Sequence, residues 1–183
     1  MPQEPIDAAK SLFIRRWGEM GATWGISRTM AEVHALLYLA PEPMCTDEVM
    51  DQLAISRGSA SMNLRELENW GLIQRLHRRG DRKEYFQAEQ DVWQMFETIM
   101  RERRRREVLP IMETIERCTD MIDQNHTKLR GDARRQVDDC RQRFADILEF
   151  CEMMNTMFNL MSQAGRTGVR SVAKQIGKFL RER

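Results

Sequence analysis

Residues 46–88 read TDEVMDQLAISRGSASMNLRELENWGLIQRLHRRGDRKEYFQA, and this stretch decides the fold. Thr46 is suited to cap a short helix that ends near Leu53, with acidic residues in its first turn, where the helix dipole favours negative charge. After a tight turn, Ser56 is suited to cap a second helix, and Gly71 ends it at a left-handed position that favours glycine. The first half of the stretch therefore predicts two short helices joined by a turn.

The second half of the same stretch predicts a β-hairpin. Residues 72–76 and 84–88 alternate or carry β-branched and aromatic side chains, as paired strands do. The residues between them, HRRGDRK at 77–83, contain Gly80 and Asp81, which supply a turn. Two capped helices followed by a basic hairpin predict a winged helix-turn-helix, a unit that places one helix in the major groove of DNA.

Two further helices are predicted before this unit. Apolar residues recur at helical spacing over residues 6–20, and Gly18, Gly21 and Gly25 are expected to end that helix in a turn. Ser27 is suited to cap the next helix, which the following prolines stop. The chain is therefore expected to be helical from its N-terminal part up to the winged unit.

Long helices are predicted after the hairpin. One begins near Asp91 and is expected to kink or restart at Pro110, and a polar loop is expected over residues 124–132. Beyond the loop, two neighbouring series of apolar residues recur every seven positions, which describes one seam of a coiled coil or helical bundle. The first series is Val137, Phe144, Cys151 and Phe158, and the second is Cys140, Ile147, Met154 and Met161. Gly165 and Gly168 are expected to flank a break before a short basic helix closes the chain.

These elements predict a mainly α protein with a small β-hairpin, a winged helix-turn-helix combined with long dimerisation helices. Residues 1–26 form an N-terminal helical arm, 27–90 the DNA-binding domain, and 91–183 the C-terminal dimerisation region in this interpretation. The alternative is that the apolar helix faces pack against each other within one chain, as an intramolecular bundle.

Composition argues against several classes of function. Hydrophobic residues make up 42% and charged residues 31% of the chain, which suits a soluble, mostly helical protein. The sequence has no apolar run of membrane-span length and no signal-peptide features, so the cytoplasm is the expected compartment. The cysteines lack metal-ligand spacing, and the histidines belong to no catalytic pattern. We therefore expect no enzyme activity, no cofactor and no metal site.

The charge is distributed unevenly. The formal net charge is only +1. Between Arg57 and Lys83, however, seven basic residues face three acidic ones. A near-neutral chain with a local basic patch is compatible with sequence-selective DNA binding.

Small and polar side chains on the second helix of the motif lie opposite its apolar face, and arginines crowd the hairpin loop. The N-terminal half of such a helix meets base edges, and a basic wing fits a minor groove or flanking phosphates. Asn63 lies on the flank of the helix and reaches a base only if the helix rolls. The predicted DNA contacts are Arg57, Ser59, Ser61, Met62, Asn63 and Arg65 on the helix and Arg78, Arg79, Arg82 and Lys83 on the wing. The run RERRRRE at 101–107 is instead expected to pair with nearby glutamates.

The stretch LAISRGSASMNLRELENWGLIQRLHRRGDRKEYFQAEQDVWQMF resembles the MarR superfamily, and specifically its GbsR branch. The shared features are the Ser-Arg-Gly-Ser-x-Ser opening of the recognition helix, its Leu-x-x-Leu-x-x-Trp-Gly-Leu-Ile exit and the Gly-Asp-Arg-Lys-x-Tyr-Phe wing. WGISRTMAEVHALLYL upstream is also similar to this branch. The resemblance covers about residues 24–96.

The resemblance implies a homodimeric repressor or activator. Outer helices would pair the two protomers, and a small ligand near the dimer interface would change the spacing of the two recognition helices. The branch is associated with control of choline and glycine betaine uptake or synthesis. Such a quaternary ammonium ligand would need an aromatic cage. The candidate effector-binding residues are Phe13, Trp17, Trp24, Trp93 and Phe96, although core packing is the simpler role for most of them.

Two alternative functions remain open. In the first, the winged helix is a protein-interaction module whose basic wing binds an acidic partner. In the second, the chain is a thiol-responsive regulator without a small-molecule ligand, because Cys45 lies near a helix N-terminus, which can lower the pKa of a thiol. Cys140 and Cys151 lie on the heptad seam and are expected to be buried and inert.

Overall fold

A computed structural model of the chain describes the backbone of residues 4–126 and 130–181, and the side chains of residues 4–124 and 130–160. The chain forms two compact units, one ending at Ile99 and one beginning at Met100. The first unit contains α1 (Glu4–Thr23), α2 (Arg28–Leu39), β1 (Met44–Cys45), α3 (Thr46–Leu53), α4 (Arg57–Trp70), β2 (Ile73–His77) and β3 (Glu84–Ala88). The helix α5 (Val92–Arg103) crosses the boundary, and a π-helical turn (Arg104–Val108), α6 (Leu109–His126) and α7 (Asp132–Arg181) follow.

The order of these elements confirms a mainly α protein with a winged helix-turn-helix. Three of the predicted caps are present. The Ser27 side chain accepts a hydrogen bond at the start of α2, the Ser56 side chain does so at the start of α4, and Gly71 ends α4 with a φ of 75°. The prediction for Thr46 is wrong, because Cys45 is the N-cap of α3. The backbone N–H of Cys45 donates to Glu48 Oε2 at 2.6 Å, so a glutamate in the first turn binds the helix start.

The hairpin has the predicted partners and one strand more than predicted. β2 and β3 pair antiparallel, with Ile73 opposite Ala88 and His77 opposite Glu84. The short strand β1 adds to the other edge of β3, so the sheet order is β1-β3-β2. Two residues are too few to show alternation in the sequence, which is why this strand was not predicted.

The core of the first unit lies between the helices and the sheet. Its largest fully buried side chains are Leu37, Leu64, Leu67, Val33 and Val49. They come from α2, α3 and α4, so these three helices share one apolar centre. Burial of the apolar face of α4 leaves its opposite face for solvent, which sets the geometry of the site described below.

Two glycines do not end the first helix, contrary to the prediction. α1 continues through Gly18 and Gly21, and only Gly25 has the left-handed backbone of a turn, with a φ of 78°. A Cβ atom at Gly21 would lie 2.6 Å from Ala31 Cβ, and one at Gly18 would lie 2.5 Å from Glu32 Cγ. The glycines therefore allow α1 to pack closely against α2, a tertiary reason that helical periodicity does not reveal.

The predicted interruption at Pro110 is present, and it takes the form of a widened turn. The π-helical turn ends two residues before this proline, with the backbone N–H of Leu109 donating to the carbonyl oxygen of Arg104. A proline ring collides with the preceding helical turn, and a π turn relieves such a collision.

The basic run that contains this turn pairs with glutamates, as predicted. Glu102 is buried and accepts from Arg105 at 2.7 Å and from Arg106 at 3.4 Å. Arg103 pairs with Glu107 at 3.3 Å. These glutamates neutralise part of the positive charge that a direct contact with phosphates would need.

In the second unit α7 packs against α6, and the predicted break in α7 is wrong. The helix passes through Gly165 and Gly168 to Arg181. Within the described side chains, the first heptad series is half-buried, whereas Cys140, Ile147 and Met154 of the second are exposed. Met161 lies outside the described side chains. In the part of the chain that the structure covers, no helix is long and apolar enough to cross a membrane.

Candidate nucleic-acid interface

The outward face of α4 is exposed to solvent, and most of its side chains are polar. Arg57, Ser61 and Arg65 are exposed, and Met62 keeps 65% of its surface in solvent. Since the opposite face is buried in the core, this face is the one that the helix can present to a ligand. Guanidinium and hydroxyl groups suit base edges and phosphates.

Asn63 is not on this face, which corrects its prediction as a DNA contact. The residue keeps only 4% of its surface exposed. Its Nδ2 donates to the carbonyl oxygen of Ser59 at 2.8 Å and to Ser59 Oγ at 3.4 Å. The side chain therefore stabilises the helix from its buried side. It also engages the hydroxyl oxygen of the half-buried Ser59 as an acceptor.

A carboxylate that sequence reasoning did not assign to the site lies between the recognition helix and the wing. Asp47, in the first turn of α3, accepts a hydrogen bond from Arg57 through Oδ1. Its other oxygen, Oδ2, lies 3.4 Å from Lys83 Nζ. The two cations lower the pKa of the Asp47 carboxyl, Arg57 by its charge first and Lys83 by its hydrogen bond second. Two predicted DNA contacts are therefore tied to one anion.

The wing is an ordered turn with a polar framework of its own. Asp81 accepts the backbone N–H of Lys83 at 2.9 Å and the Tyr85 hydroxyl at 2.7 Å. The guanidinium carbon of Arg78 lies 4.1 Å from the centre of the Tyr85 ring, a cation–π contact. Arg78 Nη2 also lies 3.4 Å from the carbonyl oxygen of Pro43. These contacts fix the base of the wing and orient Arg78 along it.

Arg79 and Arg82 flank the wing tip at Gly80 and extend into solvent. Their guanidinium groups have no hydrogen bond or ion pair with the part of the protein that the structure describes. The guanidinium group of Arg65 on α4 also has no hydrogen bond or ion pair with the described residues. These three arginines have all their N–H donors available for phosphates or bases.

Arg75 contributes to the basic count of this segment but has a structural role. Its Nε donates to Glu68 at 3.1 Å and its Nη1 donates to Glu84 at 2.7 Å. These hydrogen bonds raise the pKa of Arg75, and the hydrogen bonding to Glu68 has the largest effect. They join α4 to both strands and so hold the wing against the recognition helix.

An aromatic cavity of about 250 Å3 lies in the same unit. It is lined by Phe13, Trp17, His34, Ala35, Tyr38, Val92 and Met95. The rings of Phe13 and Trp17 stack with 5.4 Å between their centres. Two of the predicted effector residues therefore come together. Trp24, Trp93 and Phe96 do not line this cavity, and Trp24 is more than half exposed.

His34 is a buried polar residue of this cavity that sequence reasoning missed. It is 3% exposed, and its Nε2 has no hydrogen-bond partner among the described residues. Burial lowers the pKa of His34 to about 4, so the imidazole is neutral at pH 7. A lone histidine on an apolar helix face resembles an ordinary core residue, and only the cavity beside it distinguishes it.

The segment that carries this interface is similar to known proteins. Residues 24–84 match the model of the MarR family. The chain is 29% identical over 111 residues to the HTH-type transcriptional repressor GbsR of Bacillus subtilis (strain 168), which covers 61% of each chain. It is 28% identical over 98 residues to the HTH-type transcriptional regulator YvaV of the same organism, covering 54% of this chain and 55% of that protein. The HTH-type transcriptional repressor OpcR, also of that organism, is 26% identical over 91 residues, or 50% of this chain and 49% of that one.

A solved structure described as a transcriptional regulator is also similar. It has 21% sequence identity and a TM-score of 0.48, and the match covers 84% of this chain and 99% of that chain. The chain spans about half to three fifths of the length of the curated relatives that it matches. The names of these relatives describe regulators of transcription rather than enzymes.

Proposed function

We propose that the chain, whose residues 24–84 match the model of the MarR family, is a homodimeric, sequence-specific DNA-binding regulator of transcription. One observation carries the proposal: the exposed polar face of α4 and the cationic wing lie side by side in one unit, joined through Asp47. A helix for the major groove and a basic loop for the neighbouring backbone are the two parts that such a domain uses. As a regulator that acts on DNA, it is expected in the cytoplasm.

Duplex binding tests this proposal directly. Fragments of the source genome that the purified chain retains would be sequenced, and affinity for the selected site would be measured against a scrambled duplex at several salt concentrations. We expect a preferred palindromic site and a logarithm of affinity that falls linearly with the logarithm of salt. A winged-helix module that binds an acidic protein would show no preferred duplex.

The proposal of a homodimer is supported by the exposed apolar surface of α7. Phe150 and Met153 are each 57% exposed, and Leu160 is 60% exposed. Exposed apolar stripes on long helices are typical of protein interfaces. Two protomers would also present two recognition helices to a two-fold site. Light scattering on the purified chain tests this: a dimeric mass is expected, and a monomeric mass at micromolar concentration would favour the intramolecular bundle.

We propose the aromatic cavity as the effector site. The faces of Phe13, Trp17 and Tyr38 are suited to a quaternary ammonium group, and the neutral His34 does not repel a cation. Choline and glycine betaine, the ligands that the GbsR branch suggests, are therefore the first to test. Quenching or shift of Trp17 fluorescence is expected on titration, and a Trp17→Leu variant is the control for signals from the other tryptophans. No response to either ligand would remove both from consideration.

The thiol-responsive alternative has less support from the geometry. Cys45 is 4% exposed and lies in the sheet beside Tyr85, where an oxidant reaches it poorly. Cys140 is exposed, contrary to the expectation that it is buried, and Cys151 is half-buried. Unchanged operator affinity after mild peroxide treatment would exclude redox sensing by these thiols.

A further inference from the structure

We propose that Asp47 is a specificity-determining residue of the DNA interface: its carboxylate weakens binding to arbitrary duplexes while it orients Arg57 for a preferred site. This inference rests on the proposed DNA-binding function. It adds a role for an acidic residue that is part of neither the recognition helix nor the wing.

The position of Asp47 carries the argument. Oδ1 accepts from Arg57 at the start of α4, and Oδ2 lies 3.4 Å from Lys83 on the wing. Both cations are more than half exposed, and Asp47 keeps 43% of its side-chain surface in solvent. The bridge therefore lies at the surface, between the two elements that would touch one duplex.

Electrostatics explains the effect on arbitrary sequences. Binding without base readout depends on cations that replace the counterions of phosphates. Arg57 and Lys83 together carry two positive charges, and the carboxylate between them cancels one. Phosphates must either displace this carboxylate or approach it, and both weaken the contact. The cost falls on every duplex, whatever its sequence.

The hydrogen-bond geometry explains why a preferred site loses less. The guanidinium of Arg57 has five N–H donors, and Asp47 occupies the Nη2 end. This hydrogen bond restricts the orientations that the remaining donors take at the N-terminus of the recognition helix, where base edges are met. A guanine in the correct position therefore gains from an arginine that loses less conformational freedom on binding, which offsets the electrostatic cost. The ratio of specific to non-specific affinity increases as a result.

The test is Asp47→Asn, which keeps the shape of the side chain and removes its charge. Binding would be measured to the selected site and to a scrambled duplex of equal length, at three salt concentrations. We expect affinity for the scrambled duplex to rise about fivefold. The slope of the logarithm of affinity against the logarithm of salt should become steeper by the amount that about one more phosphate contact produces. Affinity for the selected site should change less than twofold, so the specificity ratio falls.

Asp51→Asn is the matched control, because it removes the same charge from the exposed surface of the same helix without touching Arg57 or Lys83. An equal gain from Asp51→Asn would overturn the proposal, since the effect would then reflect net charge alone. Unchanged or weaker binding of Asp47→Asn to the scrambled duplex would also overturn it, as would equal gains on both duplexes. Failure of the parent chain to bind any duplex is a separate result that removes the proposed function as well.

A second pair of variants tests the same bridge if Asp47→Asn does not fold. Lys83→Met and Arg82→Met each remove one wing cation, but only Lys83 is already paired with Asp47. Lys83→Met should therefore weaken scrambled-duplex binding less than Arg82→Met does. An equal or larger loss from Lys83→Met contradicts the bridge.

Discussion

Lys83 on the wing and Asp47 on α3 form an ion pair, with 3.4 Å between Nζ and Oδ2. The same carboxylate binds Arg57 at the start of α4, so α4 and the wing each bring one cation to an anion on α3. The relative position of the recognition helix and the wing is thus maintained at the surface by charge as well as in the core by packing.

The first prediction concerns the ionisation of Asp47. The charge of Arg57 is the largest cause that lowers its pKa from the ordinary 3.8, and Lys83 adds to the effect. A group with a lowered pKa in the folded state contributes stability above its unfolded value, and this contribution is lost as pH falls through the folded value. Carbon-detected NMR should therefore place the Asp47 midpoint below 3.8, and Arg57→Ala should move it upward. A midpoint unaffected by Arg57→Ala contradicts the pairing.

The second prediction separates the roles of two unpaired arginines. Arg82→Ala should weaken binding to all duplexes by a similar factor and reduce the salt slope by about one contact, because Arg82 lies on the wing. Arg65→Ala, on the exposed face of α4, should also change which site is preferred, at a cost of roughly 1–3 kcal/mol for the original site. Arg57→Ala should resemble Arg65→Ala. Site selection with each variant measures this, and identical selected sites for all of them would refute the assignment.

The third prediction concerns the pH dependence of stability. His34 has a folded pKa of about 4 against an ordinary 6.5, so the unfolded chain binds the proton more readily between these values. The free energy of unfolding should therefore be constant above pH 6.5 and fall by ~3 kcal/mol as pH decreases to 4. Urea unfolding at pH 7.5, 5.5 and 4.5 measures it. In His34→Phe the fall should be much smaller, and an equal fall would assign it to other groups.

The fourth prediction tests the close packing of α1 on α2. Gly21→Ala adds a methyl group 2.6 Å from Ala31 Cβ, so we expect a loss of about 1–3 kcal/mol even though alanine favours helices. Gly58→Ala is the control on α4, where nothing lies within 4 Å of the added atom. Because Gly58 lies in the first turn of α4, where helix propensity counts for less than in the interior, that variant should be at least as stable as the parent. Thermal unfolding compares the two, and equal stabilities would contradict the tight contact.

The fifth prediction concerns the buried amide of Asn63. Its Nδ2 donates to the Ser59 carbonyl oxygen at 2.8 Å inside α4. Asn63→Ala should lower the free energy of unfolding by about 1 kcal/mol and leave the preferred DNA site unchanged. A changed site preference in a folded variant would instead show that the helix rolls on DNA and that Asn63 then reaches a base.

Local patterns determined the elements of the winged unit. Ser27, Ser56 and Gly71 act within a few residues of themselves, so caps and ends can be identified without knowing what packs nearby. The hairpin was equally predictable, because strand alternation and a Gly-Asp turn are local signals. The exposure of Arg57 and Arg65 was predictable from the helical period, and that of the wing arginines from their charge.

Only the tertiary structure decided how those elements meet. Asp47 joins two cations because α3, the start of α4 and the wing meet at one place, and the period of a single helix does not specify that meeting. Gly21 looks like a helix end until Ala31 is placed against it. Side-chain pairing across elements depends on three-dimensional distance, whereas capping and periodicity depend on distance along the chain. Pairing across elements could therefore be identified only from the fold, whereas caps and helical faces could be identified from the sequence.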